Sequence, residues 1–279
     1  MTFSDSLLDP TVNLPKLVQA TECTTLDPHA SVQTFFLIIG NARSGSTLLG
    51  SVIDGHPEAM VGNETIASST FWRNATRATI LDEIQENSRL NRDVGRFSEG
   101  YSYLVKKRAD LSCSVSVMGD KTWNPATLLL HGDHQLLDRL RALLGIPIKI
   151  IHAIRNPFDV IATMHARSGA TIRNRIAWYF IHCEAVAAIR ERTSPELYLD
   201  SYHEDLVLSV DRTLLRLCGF LGLSVIPEHT QAVKELIFVT PKQTRASALW
   251  RPDEVQLVLD GIARFSFLSP YADRLGITK

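Results

Sequence analysis

Cysteine is scarce and scattered: Cys23, Cys113, Cys183 and Cys218 stand far apart, and no two form a C-x-x-C pair. Neither a zinc knuckle nor a disulfide framework is indicated, and the chain reads as reduced and cytoplasmic. An excess of one charge is also missing, because 29 Lys and Arg meet 30 Asp and Glu along the sequence. No overall field therefore attracts nucleic acid or a membrane surface. No run approaches the roughly 18 apolar residues of a spanning helix. Residues 1–30 carry acids and prolines where a signal peptide needs a basic start and a continuous apolar stretch. The expectation is an N-terminal arm over 1–30 and one domain over 31–279, with no nucleic-acid partner and no membrane span.

What is present centres on Thr34 to Thr47. The apolar run Phe35 to Ile39, closed by Gly40, has the pattern of a strand buried on both faces. Gly40, four residues, then Gly45-Ser46-Thr47 is the spacing of a phosphate-cradling loop, in which the following helix turns its free N–H groups toward an anion. A Walker loop has lysine before its Ser or Thr; here Gly45 is followed directly by Ser46, and the only cation of the loop is Arg43. Transfer of the γ-phosphate of ATP relies on that lysine and on magnesium. The loop thus suggests an anionic nucleotide handled without either.

Down the chain, helices are expected over Ser46 to Ile53, most of Phe71 to Lys107, Pro125 to Leu144, Phe158 to Ala166, Ala170 to Arg192, Glu204 to Gly222 and Asp253 to Arg264. Short apolar runs at Glu58 to Val61, Val115 to Met118, Pro147 to Ile154 and Leu197 to Ser201 read as strands. Asn156 and Pro157 form a capped helix start. The alternation without an internal repeat gives an α/β fold: a P-loop-type parallel sheet with helices on both faces, in a single domain.

Strand ends then offer charged groups: Arg43, with Glu64 in Gly62-Asn63-Glu64-Thr65; Lys121 in Gly119-Asp120-Lys121-Thr122; and Arg155. A parallel sheet gathers such ends at one edge, where ligands of open α/β sheets bind.

From about Phe36 onward the chain resembles sulfotransferases that use 3′-phosphoadenosine 5′-phosphosulfate (PAPS). Gly40-Asn41-Ala42-Arg43-Ser44-Gly45-Ser46-Thr47-Leu48-Leu49 is similar to the family's 5′-phosphosulfate loop. Arg155-Asn156-Pro157-Phe158-Asp159-Val160, with Thr163 eight positions after the arginine, is similar to its 3′-phosphate motif, where serine is commoner than threonine. The resemblance implies PAPS as co-substrate and adenosine 3′,5′-bisphosphate (PAP) as product, held by Arg43, Ser44, Gly45, Ser46, Thr47, Arg155 and Thr163, with no metal. An arginine fork and a hydroxyl suit the 3′-phosphate that separates PAPS from ATP. Lys242-Gln243-Thr244-Arg245 before Trp250 resembles the C-terminal basic loop of many members, making Arg245 a second candidate cation for the nucleotide. His203, ahead of Glu204-Asp205, stands where relatives carry tyrosine.

For catalysis, Glu64 resembles the glutamate base of protein-tyrosine and some carbohydrate sulfotransferases. Such a base is worth about 10² to 10⁴ in rate. Lys121 resembles the strand-end lysine that stabilises charge on the oxygen bridging sulfur and phosphorus, and Arg43 would act on the same phosphosulfate. The expected reaction moves a sulfuryl group to a hydroxyl, or less readily an amine, of a small molecule, sugar or lipid acceptor. Ile66 to Lys107 and Arg167 to Arg175 would line the acceptor pocket without diagnostic chemistry. His131 and His134 have no third metal ligand beside them, His152 reads as a packed core residue, and His56 lies in the turn before Pro57, near enough in sequence to be the reserve base. Two other readings compete. A P-loop kinase is disfavoured by the missing loop lysine and by Arg155 with Thr163, and a catalytically silent nucleotide binder by Glu64 with Lys121.

Overall fold

A computed structural model describes residues 27–65, 75–98, 101–105, 114–237 and 243–272. Most of the expected arm, Cys23, Cys113, Lys242 and parts of the 66–107 segment lie outside the described residues. Strands β1 (Thr34–Gly40), β2 (Ala59–Asn63), β5 (Val117–Lys121), β6 (Ile148–Ile154) and β7 (Tyr198–Tyr202) form one parallel sheet in the order β2-β5-β1-β6-β7. Strands β3 (Arg96–Ser98) and β4 (Tyr101–Tyr103) form a separate antiparallel hairpin.

The central position of β1 follows from its side chains. Phe35, Leu37 and Ile39 enter one core with α2 (Arg77–Val94), α3 (Asn124–Gly132), α4 (Leu136–Leu144), α5 (Pro157–Ser168), α6 (Ile172–Glu191) and α10 (Pro252–Ala263). Phe36 and Ile38 enter the other, with α1 (Ser46–Asp54), α8 (Val210–Leu221) and α9 (Pro227–Leu236). All five are at most 1% exposed, and full burial of such side chains contributes roughly 1.5–3 kcal/mol each. No helix among the described residues is long and apolar enough to cross a membrane.

The differences from expectation are local. The Phe71 to Lys107 segment is not mainly helical beyond Val94: Gly95 at φ 75 ends α2, and the β3–β4 hairpin follows. Its sequence hides the change because Arg96, a charged residue, is buried. The long helix expected from Pro125 divides into α3 and α4, since the Asp133 carboxylate accepts the Gln135 N–H at 3.1 Å and closes a turn between them. Likewise Glu204 to Gly222 divides into α7 (His203–Leu208) and α8 at Ser209, with the Thr213 hydroxyl donating to the Asp205 carbonyl at 3.0 Å. Helix α9 was not expected: its buried side includes His229, which bonds the Val52 carbonyl at 2.8 Å and gives no apolar periodicity.

Candidate active site

Sheet register builds the site. Asn63 pairs with Lys121, Ile38 with Lys121, Gly40 with Ala153 and Ile154 with Tyr202. The residues that follow these positions therefore emerge along one edge: Glu64 after β2, Lys121 at the end of β5, Asn41 to Thr47 after β1, Arg155 after β6 and His203 after β7.

The loop after β1 is tied down by Asn41, whose amide donates to the Tyr179 carbonyl at 3.3 Å and to Cys183 Sγ at 3.6 Å. Cys183 and Cys218 are both free and buried, and burial pushes the Cys183 thiol up to about 12. Gly45 begins α1 at φ 88, and a β-carbon there would meet His203 Nδ1 at 2.5 Å. Both the left-handed backbone and the close imidazole require glycine. No side chain caps α1, so the backbone donors of its first turn face the loop's concavity.

Among the described residues, only two other than glycine have positive φ, Arg43 at 70° and Glu64 at 64°. Each such backbone costs of order 1–3 kcal/mol and tends to mark functional sites. Arg43 presents its carbonyl to Arg155, whose Nη1 donates at 3.4 Å, so the two arginines predicted from separate motifs are neighbours. Glu64 forms an ion pair with Lys121, and its backbone N–H donates to the Lys121 carbonyl at 2.8 Å. The Lys121 side chain is 10% exposed and that of Glu64 41% exposed, so the carboxylate is the more accessible partner. Arg43, Lys121 and Arg155 against Glu64 leave the edge electropositive, as a polyanionic ligand requires.

Thr163 and Arg245 form a second cluster farther along α5. The Thr163 hydroxyl donates to the Asp159 carbonyl at 2.7 Å and lies 2.9 Å from Thr244 Oγ1. Arg245, 9% exposed, gives its N–H to Asp159 Oδ1 at 2.8 Å and its guanidinium to Asp159 Oδ2 at 2.5 Å. Trp250 Nε1 closes the strap by donating to the Arg245 carbonyl at 3.0 Å.

Two further contributors come from the segment in which His203 stands at the family's tyrosine position, with no role assigned to them from sequence. Glu204 accepts the Asn156 N–H at 3.0 Å and the Tyr271 hydroxyl at 2.5 Å, fixing the turn that carries Arg155. His203 packs on Gly45 with its Nδ1 buried and without a hydrogen-bond partner. Desolvation first, and the nearby Arg155 charge second, lower its pKa to about 4. Their position in a His-Glu-Asp segment was the only available signal. Asn156 caps α5 as expected, accepting the Phe158 N–H at 3.0 Å.

His152 is a core residue, 3% exposed and 3.0 Å from Asp200 Oδ1. His56 is not beside the site: it is fully buried past the far end of α1, bonded to the Ser224 carbonyl at 2.8 Å, roughly 13 Å along the helix axis from the loop. Among the described residues, no group of three or more His, Cys, Asp and Glu is placed to hold a metal ion.

A model described as the sulfotransferase family matches residues 36–228. The chain belongs to the sulfotransferase family. Solved sulfotransferases share its fold: mouse SULT7A1 complexed with PAP has 13% identity and a TM-score of 0.50, covering 88% of this chain and 89% of the mouse chain. The sulfotransferase domain of the Synechococcus PCC 7002 olefin synthase has 17% identity and a TM-score of 0.48, covering 89% of this chain and 96% of its own. No curated protein sequence matches this sulfotransferase.

Proposed function

We propose that this sulfotransferase moves a sulfuryl group from PAPS to a hydroxyl, or secondarily an amine, of a small-molecule, sugar or lipid acceptor, with Glu64 as general base. The observation that carries the reading is the Glu64–Lys121 ion pair on adjoining strand ends, one strand away from the phosphate loop.

In this reading the first-turn N–H groups of α1, with Ser44, Gly45, Ser46 and Thr47, hold the 5′-phosphosulfate, and Arg43 neutralises it. Arg155, with Thr163 and Arg245 behind it, selects the 3′-phosphate. The mouse relative's complex with PAP supports a nucleotide of this class as the ligand. As the sulfur–oxygen bond to phosphate breaks, negative charge grows on the former bridging oxygen, and Lys121 stabilises it. The acceptor oxygen forms its bond to sulfur while its proton passes to Glu64. Because Lys121 already pairs with Glu64, donor binding draws the ammonium toward phosphate and leaves the carboxylate free to accept a proton. The cations of the chain match the charges of the donor, so the reading calls for no metal.

The test is transfer of labelled sulfate from PAPS to a panel of alcohols, phenols and amines, with ATP as control donor. PAPS turnover is expected, and Glu64→Gln should lower kcat by about 10² or more while leaving PAP affinity intact. Phosphoryl transfer from ATP without use of PAPS would overturn the assignment. Full turnover of an aliphatic alcohol by Glu64→Gln would remove Glu64 as base.

A further inference from the structure

Glu64 sits on a left-handed turn, and its carboxylate pairs with a flexible lysine. A base must nevertheless be held to within a fraction of an ångström of its proton. We propose that, with Glu64 as base, Asp120 is its positioning residue: a buried carboxylate that grips Thr65 and thereby fixes the turn carrying Glu64.

The grip has three parts. Asp120 is fully buried, and its Oδ1 accepts both the Thr65 N–H at 3.0 Å and the Thr65 hydroxyl at 2.7 Å. On the other side of Glu64, its own N–H is held by the Lys121 carbonyl at 2.8 Å. Consecutive residues of β5 thus fix the backbone before and after the base. Third, Gly62 makes room: a β-carbon there would lie 2.6 Å from Asp120 Oδ1 and 2.7 Å from Thr65 Oγ1. The glycine in Gly62-Asn63-Glu64-Thr65 is explained by this approach of a carboxylate to β2.

A buried carboxylate needs compensating charge. Arg96, 2% exposed, supplies it from β3: its guanidinium interacts electrostatically with Asp54 and Asp120, lies 3.4 Å from Asp54 Oδ2, and donates to the Val61 carbonyl. Asp54 in turn accepts the Val61 N–H at 2.8 Å and the Ser88 hydroxyl at 2.6 Å. The network spans α1, β2, α2, β3 and β5 and ends at the residue after Glu64. It provides a rigid floor under a carboxylate that must itself remain accessible.

The decisive variant is Thr65→Val, which removes one hydrogen bond to Asp120 and leaves the Arg96 network whole. Loss of that bond should lower kcat for PAPS-dependent transfer about 5- to 10-fold, with the Kd for PAP unchanged and the unfolding midpoint lowered by the same amount with and without Glu64. Thr65→Ser, which keeps the hydroxyl, should restore most of the rate. In a Glu64→Gln background Thr65→Val should cost nothing further, since there is no base left to position. Asp120→Asn should follow the same coupling with a larger fall. Wild-type kcat in Thr65→Val, or an equal fractional loss with and without Glu64, would overturn the role of Asp120. Full activity of Glu64→Gln alone would overturn the base assignment, so the two failures are distinguishable.

Discussion

The two halves of the site edge are built in opposite ways. Around β6, the polar groups are locked to one another: Asn156 to Glu204, Glu204 to Tyr271, and Asp159 to the guanidinium and backbone of Arg245, which is distant in sequence. Around β2 and β5, the buried network lies beneath, and the Glu64–Lys121 pair above it is only partly covered, Glu64 being 41% exposed. On the proposed reading, the β6 side holds the nucleotide and can be braced in advance, whereas the Glu64–Lys121 pair must exchange partners during the reaction and cannot be committed so fully.

The largest effect that would test this contrast is on stability. Asp159→Ala leaves the buried Arg245 without its counterion and should reduce the unfolding free energy by about 3–5 kcal/mol, read from urea denaturation. A loss below about 1 kcal/mol, the range of exposed ion pairs, would erase the contrast. Next comes recognition. Arg155→Ala should weaken PAP about 100-fold, or about 2.7 kcal/mol, while adenosine 5′-monophosphate changes little, as measured by calorimetry. Equal losses for the two ligands would place Arg155 away from the 3′-phosphate.

The smallest effect concerns His203, whose pKa is lowered from 6.5 to about 4 by desolvation and by Arg155. In the folded protein it stays neutral where the unfolded chain takes up a proton, so stability falls as pH drops from about 7 toward 4. By pH 5 the contribution is about 2 kcal/mol. His152 and His182 are also shifted down, by burial first, and act in the same direction. The expected result is therefore a shallower pH dependence of the unfolding free energy in His203→Phe than in wild type. Identical slopes would show that His203 does not titrate in this way.

The sheet was legible because its central strands are continuous apolar runs, and Gly40 and Arg155 mark their ends. The gathering of charge at the sheet edge was legible where a motif ends a strand, as at Arg43, Lys121 and Arg155, which emerge along one edge. It was illegible where function is shared with packing. Arg96 and Asp120 look like ordinary charges in sequence and are buried together with Asp54 in one compensating network. Glu204 looks like a solvated helix acid but braces Asn156 from the start of α7, just after the neighbouring strand β7. The contact of Thr163 with Thr244 from the C-terminal strap has no local signal either. Such pairings link residues about 25 to 80 positions apart, beyond the reach of any local pattern.

The position of β1 also bears on how the chain is made. Its two neighbours in the sheet, β5 and β6, are both later in sequence, and the second of them begins at Ile148. During synthesis at about 5–20 residues per second, an apolar strand with both edges open must wait on the order of ten seconds for its second partner. For that interval this apolar strand is a template for pairing with any other nascent strand. Yield in a heterologous host should therefore depend on translation rate and holding chaperones more than on the stability of the finished fold.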